Sequence, residues 1–235
     1  MASHSGPDII EDGLVLALDA ANTKSYPSSG GSTWYDVSGK ENDGTISGAT
    51  HTSGVGGYFD FDGSNDTVTF SSNNIDGLSS GSATKFSIMG WVKWDVLTSS
   101  PTAWFEKQNA TGVNVRLELS ADNASGGRVW FVTSNTSTSI SGGLISSYLI
   151  DTNKYYHMVL VCDGTSKKAY INGVEEYSAT ESFSNTYPSN SYTLGIGGAQ
   201  RKFNGKVANV VIYNKPLTAA EIQQNFNALR GRYGI

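Results

Sequence analysis

The 235-residue chain carries a net charge of −5 with only 16% charged residues, and its one basic cluster is Arg230-Gly-Arg232. That balance argues against nucleic acid or an anionic membrane as a partner, and no apolar run reaches membrane-spanning length. With 38% hydrophobic residues, 11% aromatics and 27 glycines, the chain holds material for one sizeable core and lacks the composition of a disordered protein.

Met1–Asp12 is a short polar arm containing Gly6 and Pro7; residues 13–235 are expected to form one domain, because no linker or internal repeat interrupts them. Gly13–Asp19 alternates and is apolar, which predicts a first strand. Lys24–Thr33, with Pro27, Gly30 and Gly31, is an exposed loop, followed by a turn over Asp36–Gly44 and a strand near Thr45–Ala49. Tyr58–Asp62 and Thr67–Phe70 flank Gly63-Ser-Asn-Asp66, residues that tolerate positive φ, and so predict a hairpin. Phe86–Trp94 is a long strand with Phe86, Ile88, Gly90, Val92 and Trp94 on one face. Further strands are expected at Ala103–Lys107, Val113–Leu119, Arg128–Thr133, Leu144–Leu149, Tyr155–Asp163, Lys168–Ile171, Ser191–Ile196 and Lys206–Tyr213. Asn172-Gly173 fits a type I′ turn.

One helix is predicted. Thr218 and Glu221 form a capping box, Leu217 and Ile222 a hydrophobic staple, and the helix is expected to run to about Leu229 and stop at Gly231. The single cysteine, Cys162, excludes an intrachain disulfide and falls on a strand as a small buried hydrophobe. The N-terminus has no basic segment followed by an apolar run, so no signal peptide is expected and the chain would fold in a reducing cytoplasm. Many short strands separated by turns predict an all-β, two-sheet antiparallel sandwich or jelly roll with one short C-terminal helix.

This order of motifs resembles the laminin-G-like, concanavalin A-like jelly-roll family. Phe86-Ser-Ile-Met-Gly-Trp-Val92 is similar to its central strand. Tyr155–Gly164 with Lys168-Ala-Tyr-Ile-Asn-Gly173 is similar to its late hairpin, and Gly205–Thr218 to its last strand leading into a capped helix. At the ends, His4–Asn22 and Glu221–Ile235 are similar to the termini of tailed-bacteriophage virion proteins, those of cyanophages included. The resemblance implies a non-catalytic virion surface protein, a head decoration or a fibre or tail component, made in the host cytoplasm. Its expected partners are other virion proteins and further copies of itself, with Met1–Asp12 and Asn227–Ile235 as docking regions. The alternative is a glycan-binding lectin-like module.

The family includes glucanases, whose retaining members need two carboxylates about 5–5.5 Å apart; in the jelly-roll enzymes these alternate along one strand in a Glu-x-Asp-x-x-Glu pattern. Here Glu118 stands in Leu117-Glu-Leu119 with Asp122 four residues later and no third carboxylate in the pattern, so no enzyme is expected. His4, His51 and His157 assemble no site, and His157 is expected to be packed. Asp60, Asp62, Asn65 and Asp66, like Asp36, Asn42 and Asp43, are read as turn chemistry ahead of calcium ligation.

Pentraxins share the jelly roll, and their two calcium loops resemble Lys107–Gly112 and Gly197–Phe203. Asn109 matches one ligand, while Gln200 and Arg201 stand where acidic residues are needed; no cofactor is therefore expected, and structural calcium is unsupported. Trp34, Trp104 and Trp130 are candidate sugar platforms, with core the competing place for any of them. Trp34, Asn109, Gln200 and Arg201 are the candidate ligand contacts.

Overall fold

A computed structural model of the chain describes residues 8–70, 85–108, 116–122, 127–133, 143–180, 192–194, 196–197 and 201–235. In chain order the strands are β1 (Leu14–Asp19), β2 (Thr33–Trp34), β3 (Gly44–Ser47), β4 (Thr50–Thr52), β5 (Tyr58–Asp62), β6 (Thr67–Phe70), β7 (Lys85–Val96), β8 (Thr102–Gln108) and β9 (Arg116–Asp122). They continue with β10 (Arg128–Thr133), β11 (Gly143–Leu149), β12 (Tyr156–Asp163), β13 (Ser166–Ile171), β14 (Val174–Thr180), β15 (Tyr192–Leu194), β16 (Ile196–Gly197), β17 (Arg201–Lys202) and β18 (Asn204–Tyr213), ahead of α1 (Ala219–Leu229) and a 3-10 turn, Arg230–Arg232.

The first sheet runs β14-β13-β12-β7-β18-β5-β4, with β1 also paired to β18; the second runs β11-β10-β9-β8-β15-β6-β3-β2. Both are antiparallel. One hydrophobic core draws from both, with Phe86, Ile88 and Trp94 from β7 and Leu117, Leu119 and Phe131 from β9 and β10. The expected jelly-roll sandwich with a short C-terminal helix is what forms.

β7 and β18 are buried on both faces, because α1 covers the outer side of the first sheet. Met89, Val211, Tyr213 and Ile222 pack there, as do Trp91, Ala208, Phe226 and Leu229. A strand covered twice reads as a near-continuous apolar run. Gly90 is required in β7 because a Cβ there would sit 2.7 Å from the Trp104 ring, which crosses the core to meet it. Asn172 and Gly173 both have positive φ (52° and 81°), as the hairpin turn between β13 and β14 demands.

Thr218 caps α1, and the capping box with Glu221 is complete. Leu217 and Ile222 are buried in the same cluster, as a staple requires. β2, β4 and β17 were not foreseen: each is three residues or shorter, so none carries an apolar alternation.

The arm is no loose tail over its described part, residues 8–12. The Ile10 amide donates to Asn225 Oδ1 (2.8 Å), Tyr213 Oη donates to the Ile10 carbonyl (2.9 Å), and Gln224 Nε2 donates to the Asp8 carbonyl (2.8 Å). The free edge of β1 is covered by the following loop: the Val37 amide donates to the Ala17 carbonyl, and the Ala17 amide to Asp36 Oδ1. Covering an edge in this way removes a template for unwanted pairing.

Candidate functional site

Alternation on β9 sends Leu117, Leu119 and Ala121 into the core and Glu118, Ser120 and Asp122 to the opposite face. Antiparallel pairing then completes that face. β8 places Glu106 directly across from Glu118, and β10 places Trp130 across from Ser120 and Arg128 across from Asp122. Glu118, Glu106 and Asp122 are 0%, 2% and 2% exposed. Trp130 and Arg201 are half-buried and Arg128 is exposed, so these three form the accessible rim.

The face is tied together by polar contacts. Arg201 Nη1 donates to Glu118 Oε1 at 2.6 Å and Ser120 Oγ to the same oxygen at 2.5 Å. Trp130 Nε1 donates to Asp122 Oδ2 at 2.5 Å. Burying a carboxylate costs several kcal/mol unless charge-assisted bonds offset it, and Arg201 supplies one. The result is a set of planar polar groups around a fixed indole, a combination that can bind a hydroxyl-rich ligand.

The expected contacts divide. Trp34 is corrected: it is fully buried, with its ring 4.5 Å from Phe59, because the short strand β2 turns it into the core. It offers no platform. Trp104 is likewise in the core, whereas Trp130 is held on the rim. Arg201 belongs to the site, as the ion-pair partner of Glu118. Asn109 and Gln200 lie outside the described residues.

Glu106 was missed. A single acidic residue in Thr102–Gln108 has no motif of its own, and only the β8–β9 register sets it against Glu118.

Elsewhere the Asx clusters are turns. Asp36 accepts from the amides of Ala17, Ser38 and Asn42, and Asp66 accepts from the Asp62 amide, with burial pushing the Asp66 carboxyl above its ordinary value. Among the described residues no group of three or more His, Cys, Asp or Glu is placed to hold a metal, and no helix is long and apolar enough to cross a membrane. His157 is fully buried beside Trp91 and Phe226, and burial lowers its pKa to about 3.

Residues 62–223, more than half of the chain, match the Laminin_G_3 family, described as the concanavalin A-like lectin/glucanases superfamily. The protein belongs to that family. No curated protein matches the sequence.

Among solved structures, domain 4 of AbnA, an extracellular arabinanase of Geobacillus stearothermophilus solved with arabinotriose, is 21% identical with a TM-score of 0.67. That alignment covers 93% of this chain and 100% of that one. The binding domain of Paraclostridial Mosquitocidal Protein 1 is 15% identical (TM-score 0.73), covering 93% of this chain and 52% of that one. A Trypanosoma rangeli sialidase in complex with DANA is 18% identical (TM-score 0.65), covering 97% and 34%. The chain thus spans about half of the mosquitocidal structure and a third of the sialidase. At these identities the likeness is one of fold.

Proposed function

We propose that this protein is a non-catalytic recognition module that binds a glycan at the Trp130–Arg201–Arg128 rim of the second sheet. The observation that carries the reading is the built polar face, in which an indole, a guanidinium and carboxylates are fixed by mutual hydrogen bonds. The arabinanase domain, which this fold matches over its full length, was solved with arabinotriose and supports the same ligand class.

Glu106 and Glu118 are opposed in the register that would suit a pair of acids, but Glu118 is committed to Arg201 and Ser120 and both are buried. A general acid or nucleophile must reach the scissile bond, so we assign no hydrolysis to them. The test is a glycan array followed by calorimetric titration of the best hit. Trp130→Ala is expected to weaken that hit about tenfold, in line with the loss of an aromatic platform. Unchanged affinity would remove the site from consideration, and release of reducing ends from the bound glycan would overturn the non-catalytic assignment.

The setting we propose is the surface of a tailed-phage particle, as head decoration or fibre component, with several copies raising avidity. The similarity of His4–Asn22 and Glu221–Ile235 to virion proteins supports it. Immunogold labelling of purified particles tests this: label over heads or tails is expected, and unlabelled particles would exclude it.

A further inference from the structure

The two ends of the chain meet. The arm, β1, the outer face of β18 and the end of α1 enclose a cavity of about 430 Å³, within the range of small-ligand sites. It lies on the first sheet and shares no residue with the Trp130 rim.

Its floor is the pair Asp19–Arg232, with Nη1 and Oδ2 2.6 Å apart and side chains 19% and 28% exposed. Asp19 is fixed from both sides, since its Oδ1 accepts the Ala21 amide and its own amide donates to Ser25 Oγ. Asn22 and Asn227 stand on the walls. Each has its carbonyl oxygen engaged, by the Lys24 amide and by Gln223 Nε2 respectively. Their Nδ2 groups make no hydrogen bond within the described residues, so two amide donors are unspent. Leu229 and Val37 add apolar wall, Val37 being 40% exposed.

We propose that this groove is a second binding site, and that it takes an uncharged, hydroxyl-rich ligand, a neutral saccharide. A preorganised carboxylate beside a guanidinium matches two neighbouring hydroxyls, one donating to Asp19 and the next accepting from Arg232. The free amide donors of Asn22 and Asn227 serve further ring or hydroxyl oxygens.

Charge sets the selectivity. Asp8 and Glu11 line the cavity along with Asp19 and repel an anionic sugar, while a cation seated on the floor would face Arg232. The proposal shares only its ligand class with the proposed function.

The experiment is calorimetric titration of the full chain with arabinotriose and other neutral oligosaccharides, with sialyllactose and a chitosan trimer as charged probes. A neutral probe is expected to bind. The double variant Asn22→Ala/Asn227→Ala should lower its affinity about tenfold, and Val37→Trp, which fills the mouth, should abolish it, with melting temperatures unchanged. Trp130→Ala should leave that component intact.

If the groove variants bind like the parent while Trp130→Ala does not, the groove is excluded and the rim stands. If only the groove variants lose binding, the rim is excluded and the groove stands. Binding of a charged probe alone, lost in Trp130→Ala, would also overturn the groove while sparing the rim. No binding by any probe overturns the groove.

Discussion

Arg201 reaches across from β17 to a carboxylate that has no exposed surface. Removing the guanidinium takes a charge-assisted bond from that carboxylate in a low-dielectric setting, and losses of about 3–5 kcal/mol follow such changes. Arg201→Met is expected to lower stability by about 3 kcal/mol in urea denaturation. Glu118→Leu combined with Arg201→Met should recover much of that loss, because the double change removes the stranded Glu118 carboxylate together with its partner. If the single variant is as stable as the parent, the ion pair carries no structural weight.

His157 gives a second prediction at the same scale. Burial lowers its pKa from 6.5 to about 3, so between those values the unfolded chain takes up a proton that the folded one refuses. Its contribution is therefore fully present above about pH 6.5 and is lost as pH falls towards 3, at a limiting slope of about 1.4 kcal/mol per pH unit. His157→Phe should flatten that part of the stability–pH curve, measured by denaturation at pH 4 and pH 7. An equal slope in the variant would show that other groups set the acid response.

The elements divide by how many faces they bury. β7 has core on one side and α1 on the other, and its tolerance of change is correspondingly low. Gly90→Ala would place a Cβ 2.7 Å from the Trp104 ring and 2.9 Å from the Asn209 carbonyl oxygen. Overpacking of this kind costs about 1–3 kcal/mol, expected as a lower urea midpoint with unchanged slope.

α1 depends instead on its start. Thr218 Oγ1 accepts the Glu221 amide, and the Glu221 carboxylate accepts the Thr218 amide. Lys215 also donates to Glu221 and, with the Thr218 bonds, holds that carboxyl below its ordinary range against the opposing effect of burial. Thr218→Ala is expected to cost about 1 kcal/mol. Because α1 packs its buried side chains on the outer face of the first sheet, the loss should appear in global unfolding and not merely as fraying.

On the scale of the whole molecule, the termini are one structural unit. Asn225 is fully buried, accepts the Ile10 amide and donates to Tyr213 Oη, which in turn donates to the Ile10 carbonyl. At the other end of the helix, Tyr233 stacks on Trp91 at 4.5 Å and Arg232 pairs with Asp19. Arm, helix and β18 therefore close on one another through Asn225, Tyr213 and Gln224.

Asn225→Ala removes the link at its centre and leaves buried groups unsatisfied, at about 1–3 kcal/mol. Faster hydrogen exchange at Ile10 together with a lower melting temperature is the expected result. Exchange at Ile10 unchanged from the parent would show that the arm is held by other contacts. The same closure is what creates the groove, so arm and C-terminal segment are bound to their own domain before they meet any partner.

Period-2 alternation, Asn-Gly and Gly-Asx turns and a capping box are local signals, each set by a few neighbouring residues. They determined the sandwich, most of the strand positions and the start of α1 from the sequence alone, whereas the expected stop at Gly231 is overridden by a 3-10 turn that runs through it. Trp34 and Glu106 mark the boundary of that reach. A tryptophan beside a polar loop looks the same in sequence whether it faces solvent or core, and β2 is too short to show an alternation. Glu106 and Glu118 stand twelve residues apart in sequence, and only the β8–β9 register makes them neighbours. The groove joins residues more than 200 positions apart, as the Asp19–Arg232 pair does. Local sequence encodes which face a side chain takes along its own strand; which other side chains share that face is decided by pairing and packing across the whole chain.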